Sequence, residues 1–171
     1  MDLQQYIRDV KDFPKPGIVF KDITPLLAHP AGFKATIDQL RARVPPVTID
    51  VVAGIEARGF IFGAALARDL GVGFVPIRKP GKLPADTIRE SYQLEYGSNT
   101  IEMHKDAITR GQTVLVADDV LATGGTLAAA CRLMETAGAK VAACIVVIDL
   151  AFLHGRDRLK GYRVESLLAY S

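Results

Sequence analysis

The sequence contains no tryptophan, and both cysteine and histidine are scarce among its 171 residues. The three histidines, His29, His104 and His154, are far apart and lack the spacing of metal ligands, which argues against a zinc site held by the protein. The two cysteines, Cys131 and Cys144, fall on a predicted helix and on the strand that follows it. We therefore expect buried free thiols rather than a disulfide.

The sequence also lacks a strong charge of either sign and any long hydrophobic run. Its formal net charge of +2 is too small to imply binding to nucleic acid or to a membrane surface. No apolar stretch approaches the length of a transmembrane helix, and residues 1–5 (MDLQQ) do not resemble a signal peptide. These absences predict a cytoplasmic protein with neither a nucleic acid nor a membrane as its partner.

What the sequence does contain is a regular alternation of strand-like and helical patterns. Its length suits a single α/β domain, residues 1–171, with a full-sized core. The predicted strands are 49–53, 74–77, 113–117 and 141–148, and the predicted helices are 33–43, 60–70 and 127–137. This alternation predicts a central, mostly parallel sheet flanked by helices, with ligands bound beyond the carboxyl ends of the strands.

Two segments interrupt the alternation. Prolines in residues 12–27 favour an extended path, and the apolar residues there follow neither a helical nor a strand period. We expect residues 1–30 to form a small N-terminal hood over the active end. Residues 79–103 begin with KPGKLP and continue with alternating polar and apolar residues, which predicts a projecting hairpin or a mobile lid.

The most informative segment is 114–126, with the sequence VLVADDVLATGGT. Four apolar residues predict a strand buried on both faces, and a helix is predicted to follow the glycines. The turn between them offers backbone N–H groups and close backbone approach to an anion such as a phosphate. Asp118 and Asp119 would accept hydrogen bonds from vicinal hydroxyl groups. The segment therefore predicts a phosphoribosyl site that includes Ala122, Thr123, Gly124, Gly125 and Thr126.

Two common phosphate loops do not fit this segment. No lysine follows the glycines, as the GxxxxGK[ST] loop would require, and the GxGxxG spacing of dinucleotide-binding proteins is absent. A simpler interpretation is a tight strand-to-helix turn capped by threonine, with the two aspartates solvated at the end of the strand. The whole run of thirteen residues favours the phosphoribosyl interpretation.

The same run resembles the motif with which type I phosphoribosyltransferases bind phosphoribosyl pyrophosphate (PRPP). Four further segments resemble the adenine-specific branch of that family: 13–27, 57–63 (ARGFIFG), 77–84 (IRKPGKLP) and 91–97 (SYQLEYG). Together they cover nearly the whole chain in the family's order. The resemblance implies purine salvage, in which phosphoribose is transferred from PRPP to adenine to give AMP and pyrophosphate, with Mg²⁺ held mainly by the substrate.

The resemblance also implies roles for residues outside the phosphoribosyl motif. Arg58 would bind pyrophosphate next to a non-proline cis peptide, expected at Glu56–Ala57. Lys79 and Lys82 would belong to a basic loop, of which at least one lysine reaches the pyrophosphate of a neighbouring subunit in a homodimer. Surface lysines usually only interact with solvent, so both readings stay open for these two.

The catalytic and adenine-binding residues are likewise implied by the resemblance. Glu95 and Tyr96 correspond to the lid, with Glu95 as the candidate catalytic carboxylate, either exchanging a proton with adenine or stabilising charge; Glu102 is its rival. Phe20 would stack on adenine, and the residues grouped with it in the base pocket are Val19, Lys21, Val120 and Leu150. Lys21 and Val120 depart from the family's commoner arginine and leucine, which leaves the fit of the pocket open.

Two other functions are compatible with parts of the pattern. One is transfer of phosphoribose to hypoxanthine, guanine or xanthine, which the resemblance of residues 13–27 to the adenine-specific branch disfavours. The other is a non-catalytic regulator that senses PRPP. A regulator of that kind would need an added nucleic-acid-binding element, for which the chain has neither spare length nor a basic stripe.

Overall fold

The structure is a computed structural model that describes residues 1–93 and 97–171. It divides into two compact units, Met1–Gln39 and Leu40–Ser171. Among the described residues, no helix is both long enough and apolar enough to cross a membrane.

The first unit begins with a 3-10 turn, Gln4–Tyr6, and continues with a short antiparallel pair of strands, β1 (Arg8–Lys11) and β2 (Val19–Asp22). Two helices follow, α1 (Thr24–Ala28) and α2 (Pro30–Arg43), and the last turn of α2 extends into the second unit. The peptide bond between Phe13 and Pro14, in the turn between the strands, is cis.

The extended path expected for residues 12–27 is found in β2, whereas Thr24–Ala28 form the helix α1. β2 forms because its backbone pairs with β1 and not because of an apolar period, so a search for hydrophobic periodicity misses it. Pro25 lies in the first turn of α1, where a missing N–H group costs nothing. Asp22 supports that turn by accepting a hydrogen bond of 2.8 Å from the Thr24 backbone N–H. This bond, together with Arg8, lowers the pKa of Asp22.

The second unit contains the remaining elements. In chain order they are β3 (Val51–Ile55), α3 (Gly59–Leu70), β4 (Gly73–Ile77), β5 (Thr87–Gln93), β6 (Ser98–His104), β7 (Thr113–Leu121), α4 (Gly125–Thr136), β8 (Lys140–Leu150) and β9 (Val164–Tyr170). Two 3-10 turns, Ala151–Leu153 and Gly155–Leu159, connect β8 to β9. Five strands form one sheet in the order β4-β3-β7-β8-β9, and every neighbouring pair is parallel. The predicted α/β class with a central parallel sheet is confirmed.

The core follows from the apolar runs that predicted the sheet. All five residues of β3 are buried, as are most residues of β7 and β8. Helix α3 contributes Phe62 and Leu66, and α4 contributes Leu133 and Met134, all essentially inaccessible to solvent. Burial of these large side chains provides most of the favourable free energy of folding in a unit of this size.

The two cysteines meet inside this core. Cys131 on α4 and Cys144 on β8 are both buried and free, with 3.3 Å between their sulfur atoms. The prediction of buried thiols without a disulfide is confirmed. The hydrogen bond with Cys131, and then burial, raise the pKa of Cys144 well above that of an ordinary thiol.

The region predicted as a hairpin or lid, 79–103, contains the antiparallel strands β5 and β6, paired from Thr87 with His104 to Gln93 with Ser98. Residues 94–96 lie outside the described residues. A further backbone bridge joins Arg78 to Glu102, linking the hairpin to the end of β4. Whether the region acts as a lid stays a prediction.

Candidate active site

A cavity of about 240 Å³ opens where the carboxyl ends of β3 and β7 lie side by side. Two stretches of chain line it, residues 55–58 after β3 and residues 118–127 at the end of β7 and the start of α4. The cavity lies there because neighbouring parallel strands end at the same edge of the sheet, which is where α/β proteins bind ligands. We call residues 122–126 the phosphate loop.

The phosphate loop ends in the first turn of α4. Gly124 is the N-cap residue and has a φ of +80°, a conformation that side chains other than glycine rarely adopt. In the described part of the chain, no side chain caps this helix. Its first N–H groups are therefore available to an anion, and the helix dipole adds to the attraction.

The phosphate loop is backed by a second backbone segment that the sequence did not point to. A methyl group added at Gly124 would lie 2.2 Å from the carbonyl oxygen of Gly155, and one added at Gly155 would lie 2.1 Å from the carbonyl oxygen of Ala122. Both positions therefore require glycine because the two backbones touch. The glycine at position 155 was the only hint of this contact in the sequence, and a single glycine does not show which segment it packs against.

We had expected the two aspartates to follow the strand, which was predicted to end at residue 117. They lie within β7 instead. β7 continues to Leu121 because Asp118 and Val120 still pair with Val146 and Ile148 of β8. The backbone N–H of Asp119 donates a hydrogen bond of 2.8 Å to Asp118 Oδ1. Burial is the main reason that the pKa of Asp118 is raised well above its usual value, and the charge of the adjacent Asp119 is the second reason.

Arg58 is brought against these aspartates by the start of α3. Its Nε lies 2.9 Å from Asp119 Oδ2, and the Asp119 side chain is 7% exposed against 38% for Arg58. A methyl group at Gly59 would lie 2.8 Å from Asp118 Oδ1, so glycine lets the helix approach β7 closely enough for this pair. The peptide bond between Glu56 and Ala57 is cis, as predicted. The ion pair between Arg58 and Asp119 was not predicted.

A second ion pair lies on the other side of residues 55–58. Glu56 accepts hydrogen bonds from Arg78 Nε at 3.2 Å and Arg78 Nη2 at 2.8 Å, and a third from the Lys79 backbone N–H at 3.2 Å. The hydrogen bonds from Arg78 lower the pKa of Glu56, and Glu56 in turn raises the pKa of Arg78. Arg78 Nη1 also donates to the carbonyl oxygen of Lys82 at 3.1 Å. This pair thus holds the basic loop next to the end of β3.

A second cavity, of about 470 Å³, adjoins the first. It shares Ile55, Glu56 and Thr126 with the first cavity, and Lys79 and Tyr92 also line it. The Tyr92 hydroxyl lies 2.7 Å from the Thr126 hydroxyl, which joins β5 to the phosphate loop. Nothing in the sequence distinguishes Tyr92 from its neighbours in the segment SYQLEYG.

The predicted site residues fall into three groups. Those that line the first cavity are Arg58, Asp118, Asp119, Val120, Ala122, Thr123, Gly124, Gly125 and Thr126. Lys79 lines the second cavity, Lys82 binds Arg78 through its carbonyl group, and Leu150 is half-buried at the end of β8. Val19, Phe20 and Lys21 belong to β2 of the first unit, and Glu95 and Tyr96 lie outside the described residues.

Glu102, the rival to Glu95, has structural contacts in the hairpin. It is 2% exposed and forms an ion pair of 2.9 Å between its Oε1 and Arg89 Nε. Its Oε2 accepts a hydrogen bond of 3.3 Å from the Gly81 backbone N–H. These contacts connect Glu102 to the turn of the basic loop and explain its burial without a catalytic role.

Among the residues that the structure describes, no group of three or more His, Cys, Asp or Glu side chains could hold a metal ion. Three carboxylates of the described residues line the first cavity, Glu56, Asp118 and Asp119. Glu56 is paired with Arg78 and Asp119 with Arg58. This set suits an ion that arrives with most of its ligands supplied by a substrate.

Comparisons with known proteins agree with this geometry. The sequence profile described as "Phosphoribosyl transferase domain" matches residues 23–167. A relative named adenine phosphoribosyltransferase, from Solibacter usitatus, is 57% identical over 169 residues, covering 99% of this chain and 98% of the relative.

Solved structures are similar over almost the whole chain. The adenine phosphoribosyltransferase of Thermoanaerobacter pseudethanolicus superimposes with a TM-score of 0.96 at 49% identity, covering 98% of each chain. The enzyme of the same name from Saccharomyces cerevisiae, complexed with an imino-altritol bisphosphate and adenine, gives a TM-score of 0.91 at 42% identity and covers 97% of this chain and 96% of that one. The present chain belongs to the phosphoribosyl transferase family.

Proposed function

We propose that this member of the phosphoribosyl transferase family transfers the 5-phosphoribosyl group of PRPP to adenine, forming AMP and pyrophosphate in purine salvage. The observation that carries the proposal is the first cavity, where the phosphate loop, two aspartates and Arg58 line one space. A phosphate, two ribose hydroxyls and a pyrophosphate need these three kinds of group in this order. The relatives named adenine phosphoribosyltransferase supply the choice of base.

PRPP binding follows from the contacts. The 5′-phosphate would lie on the phosphate loop, where the N–H groups of α4 and the hydroxyls of Thr123 and Thr126 can donate. Asp118 and Asp119 would accept hydrogen bonds from the ribose hydroxyls.

In the reaction, the bond between C1′ and the pyrophosphate oxygen breaks and a bond between C1′ and adenine N9 forms. The ribose carries positive charge in the transition state, and the leaving pyrophosphate gains negative charge. Arg58, already at the mouth of the phosphoribosyl site, would bind that pyrophosphate through its fork of donors. Positioning and charge stabilisation account for the catalysis, and no protein nucleophile is needed.

Magnesium belongs to this proposal as an ion bound mainly by the substrate. The residues of the site fit an ion that is ligated by pyrophosphate oxygens, ribose hydroxyls and water, since they do not group into a cage among the described residues. When bound, Mg²⁺ neutralises charge on the pyrophosphate. The contribution of the chain is to hold the ribose and the phosphate in place beside it.

The base side of the site is proposed from the resemblance and from the relatives. Phe20 would stack on adenine, with Val120 and Leu150 opposite and backbone groups of Val19 and Lys21 at its edge. Adenine gives up its N9 proton when the new bond forms, and Glu95, supported by Tyr96, is the proposed acceptor or electrostatic stabiliser. Residues 1–30 would act as the hood and 79–103 as the lid, which exclude water from the activated ribose.

The function is tested by measuring AMP formation from PRPP and adenine with Mg²⁺, with hypoxanthine and guanine in parallel. We expect turnover with adenine alone. Preference for an oxopurine would transfer the proposal to another base. If no base is turned over while PRPP still binds, the chain is a sensor and not an enzyme.

We also propose a cytoplasmic homodimer. Lys79 lines the second cavity, and its loop is held by the Glu56–Arg78 pair, so its side chain can act at the edge of a site. The resemblance suggests that this site is the neighbouring subunit's. Light scattering on the purified protein should give twice the chain mass of 18.5 kDa. A monomer with full activity would refute the shared site.

A further inference from the structure

The phosphate loop is supported from behind by the segment that begins at Gly155. As described above, the backbones of Gly124 and Ala122 lie against Gly155 so closely that a side chain at either glycine would collide. The position of Gly155 therefore decides where the phosphate loop lies. Gly155 itself is buried and begins the 3-10 turn that leads to β9.

A single side chain next to Gly155 ties this segment to the sheet. Arg156 donates from Nε to Asp149 Oδ2 at 2.6 Å, from Nη1 to the carbonyl oxygen of Val164 at 2.9 Å and from Nη2 to Ser166 Oγ at 3.1 Å. Its partners lie at the end of β8 and on β9. A planar guanidinium group can serve all three acceptors at once, which a lysine ammonium cannot match in geometry.

Asp149 is the buried anchor of this network. Its side chain is 3% exposed, whereas that of Arg156 is 49% exposed. Asp149 Oδ1 is also buried and accepts no hydrogen bond from the described residues. A buried carboxylate that is not fully hydrogen-bonded depends strongly on the cation paired with it, so the position of Arg156 is closely determined.

We propose that Asp149 and Arg156 form a positioning pair for the phosphate loop. Neither residue lines the first cavity. They act by fixing Gly155, whose backbone sets the positions of Ala122 and Gly124, and so they tune the affinity for the 5′-phosphate of PRPP. The inference rests on the proposed function, because it assigns that phosphate to the loop.

The test is a set of variants at each end of the pair: Asp149→Asn, Arg156→Gln and the double variant. Each single variant should raise the KM for PRPP and the dissociation constant for AMP about tenfold, since small displacements of a binding loop have effects of this order. The KM for adenine should change less than about twofold. Because the residues act as a unit, the double variant should resemble the single ones.

Two controls separate positioning from general destabilisation. Leu66→Ala removes a fully buried side chain of α3, and Glu165→Gln removes the carboxylate of the partly exposed Arg163–Glu165 ion pair at the start of β9. Leu66→Ala should lower the melting temperature without changing the KM for PRPP at 25 °C, and Glu165→Gln should change neither. A rise in this KM for Leu66→Ala as large as that for Asp149→Asn would overturn the inference.

Two milder variants cover the case in which Asp149→Asn does not fold. Ser166→Ala removes one of the three acceptors of Arg156, and Arg156→Lys keeps the charge without the fork. Both should raise the dissociation constant for AMP about threefold. Calorimetric titration with AMP measures this dissociation constant without any turnover of substrate. Unchanged AMP affinity in folded variants rejects the positioning pair, whereas absence of AMP formation by the wild-type protein rejects the proposed function.

Discussion

Two arginine–carboxylate pairs include a residue of the segment 55–58, and they differ in burial and in what surrounds them. Asp119 is buried and forms a 2.9 Å ion pair with Arg58, and both residues line the cavity that we assign to PRPP. Glu56 is held by two hydrogen bonds from Arg78 and a third from the backbone of Lys79. The first pair consists of two groups that each have a proposed ligand, whereas the second pair joins the basic loop to the end of β3.

The difference shows how one kind of interaction serves two purposes. In our proposal, Asp119 would exchange Arg58 for a ribose hydroxyl when PRPP binds, and Arg58 would exchange Asp119 for pyrophosphate. In the free protein each of these groups satisfies the other, which avoids a buried uncompensated charge. Glu56 and Arg78 have no such exchange in our proposal. We therefore expect loss of the first pair to affect catalysis and loss of the second to affect the geometry of one loop.

The largest effect is expected from Arg58→Ala. This variant removes the proposed pyrophosphate donor, and kcat/KM for PRPP should fall about 10²- to 10³-fold, the usual range for a donor aimed at developing charge. Its matched control is Arg58→Lys, which keeps the charge but loses the fork and should recover part of the rate. Steady-state kinetics with varied PRPP measures both. A loss of less than tenfold for Arg58→Ala would remove Arg58 from the chemistry.

A smaller effect is expected from Arg78→Ala. The variant releases Glu56 and the carbonyl oxygen of Lys82, so the KM for PRPP should rise about tenfold while kcat changes little. Glu56→Gln tests the same pair from its other end, and the double variant should be no worse than Arg78→Ala. If Arg78→Ala instead lowers kcat as strongly as Arg58→Ala does, the contrast between the two pairs is wrong.

The phosphoribosyl half of the site was predictable because it is local in sequence. The strand, both aspartates and the glycine turn lie within thirteen residues, and α/β topology places such a turn at the edge of the sheet. The class of the sheet was predictable, but its fifth strand was missed. β9 has the mixed sequence VESLLAY, which shows no clear period. The extent of β7 was underestimated because its pairing with β8 continues through charged residues.

The contacts that hold the site together were not predictable, because they join distant residues. Glu56 meets Arg78 across 22 positions, and Tyr92 meets Thr126 across 34. The requirement for glycine at position 155 comes from a backbone 31 to 33 residues earlier. Neither propensity nor periodicity carries such information, which depends on how whole strands and helices pack. The resemblance indicated which residues matter but was silent on how they are held.

The smallest effects concern how stability depends on pH. The contributions of Glu56 and Asp118 to this dependence should have opposite signs. The pKa of Glu56 is lowered in the folded protein, so its contribution to stability is present above its unfolded value of 4.5 and is lost as the pH falls through the lowered pKa. The pKa of Asp118 is raised, so stability is lost as the pH rises from its unfolded value of 3.8 through the raised pKa.

Thermal unfolding of Glu56→Gln and Asp118→Asn from pH 3 to pH 7 distinguishes these directions. At pH 7, Glu56→Gln should melt below the wild type, by no more than about 2–4 °C because the pair is partly solvated. The difference should shrink as the pH falls toward 3. Asp118→Asn should match the wild type near pH 3 and melt above it at pH 7, since asparagine cannot acquire the unfavourable charge. A constant difference across this range would show that neither carboxyl group has the shifted pKa on which the comparison depends.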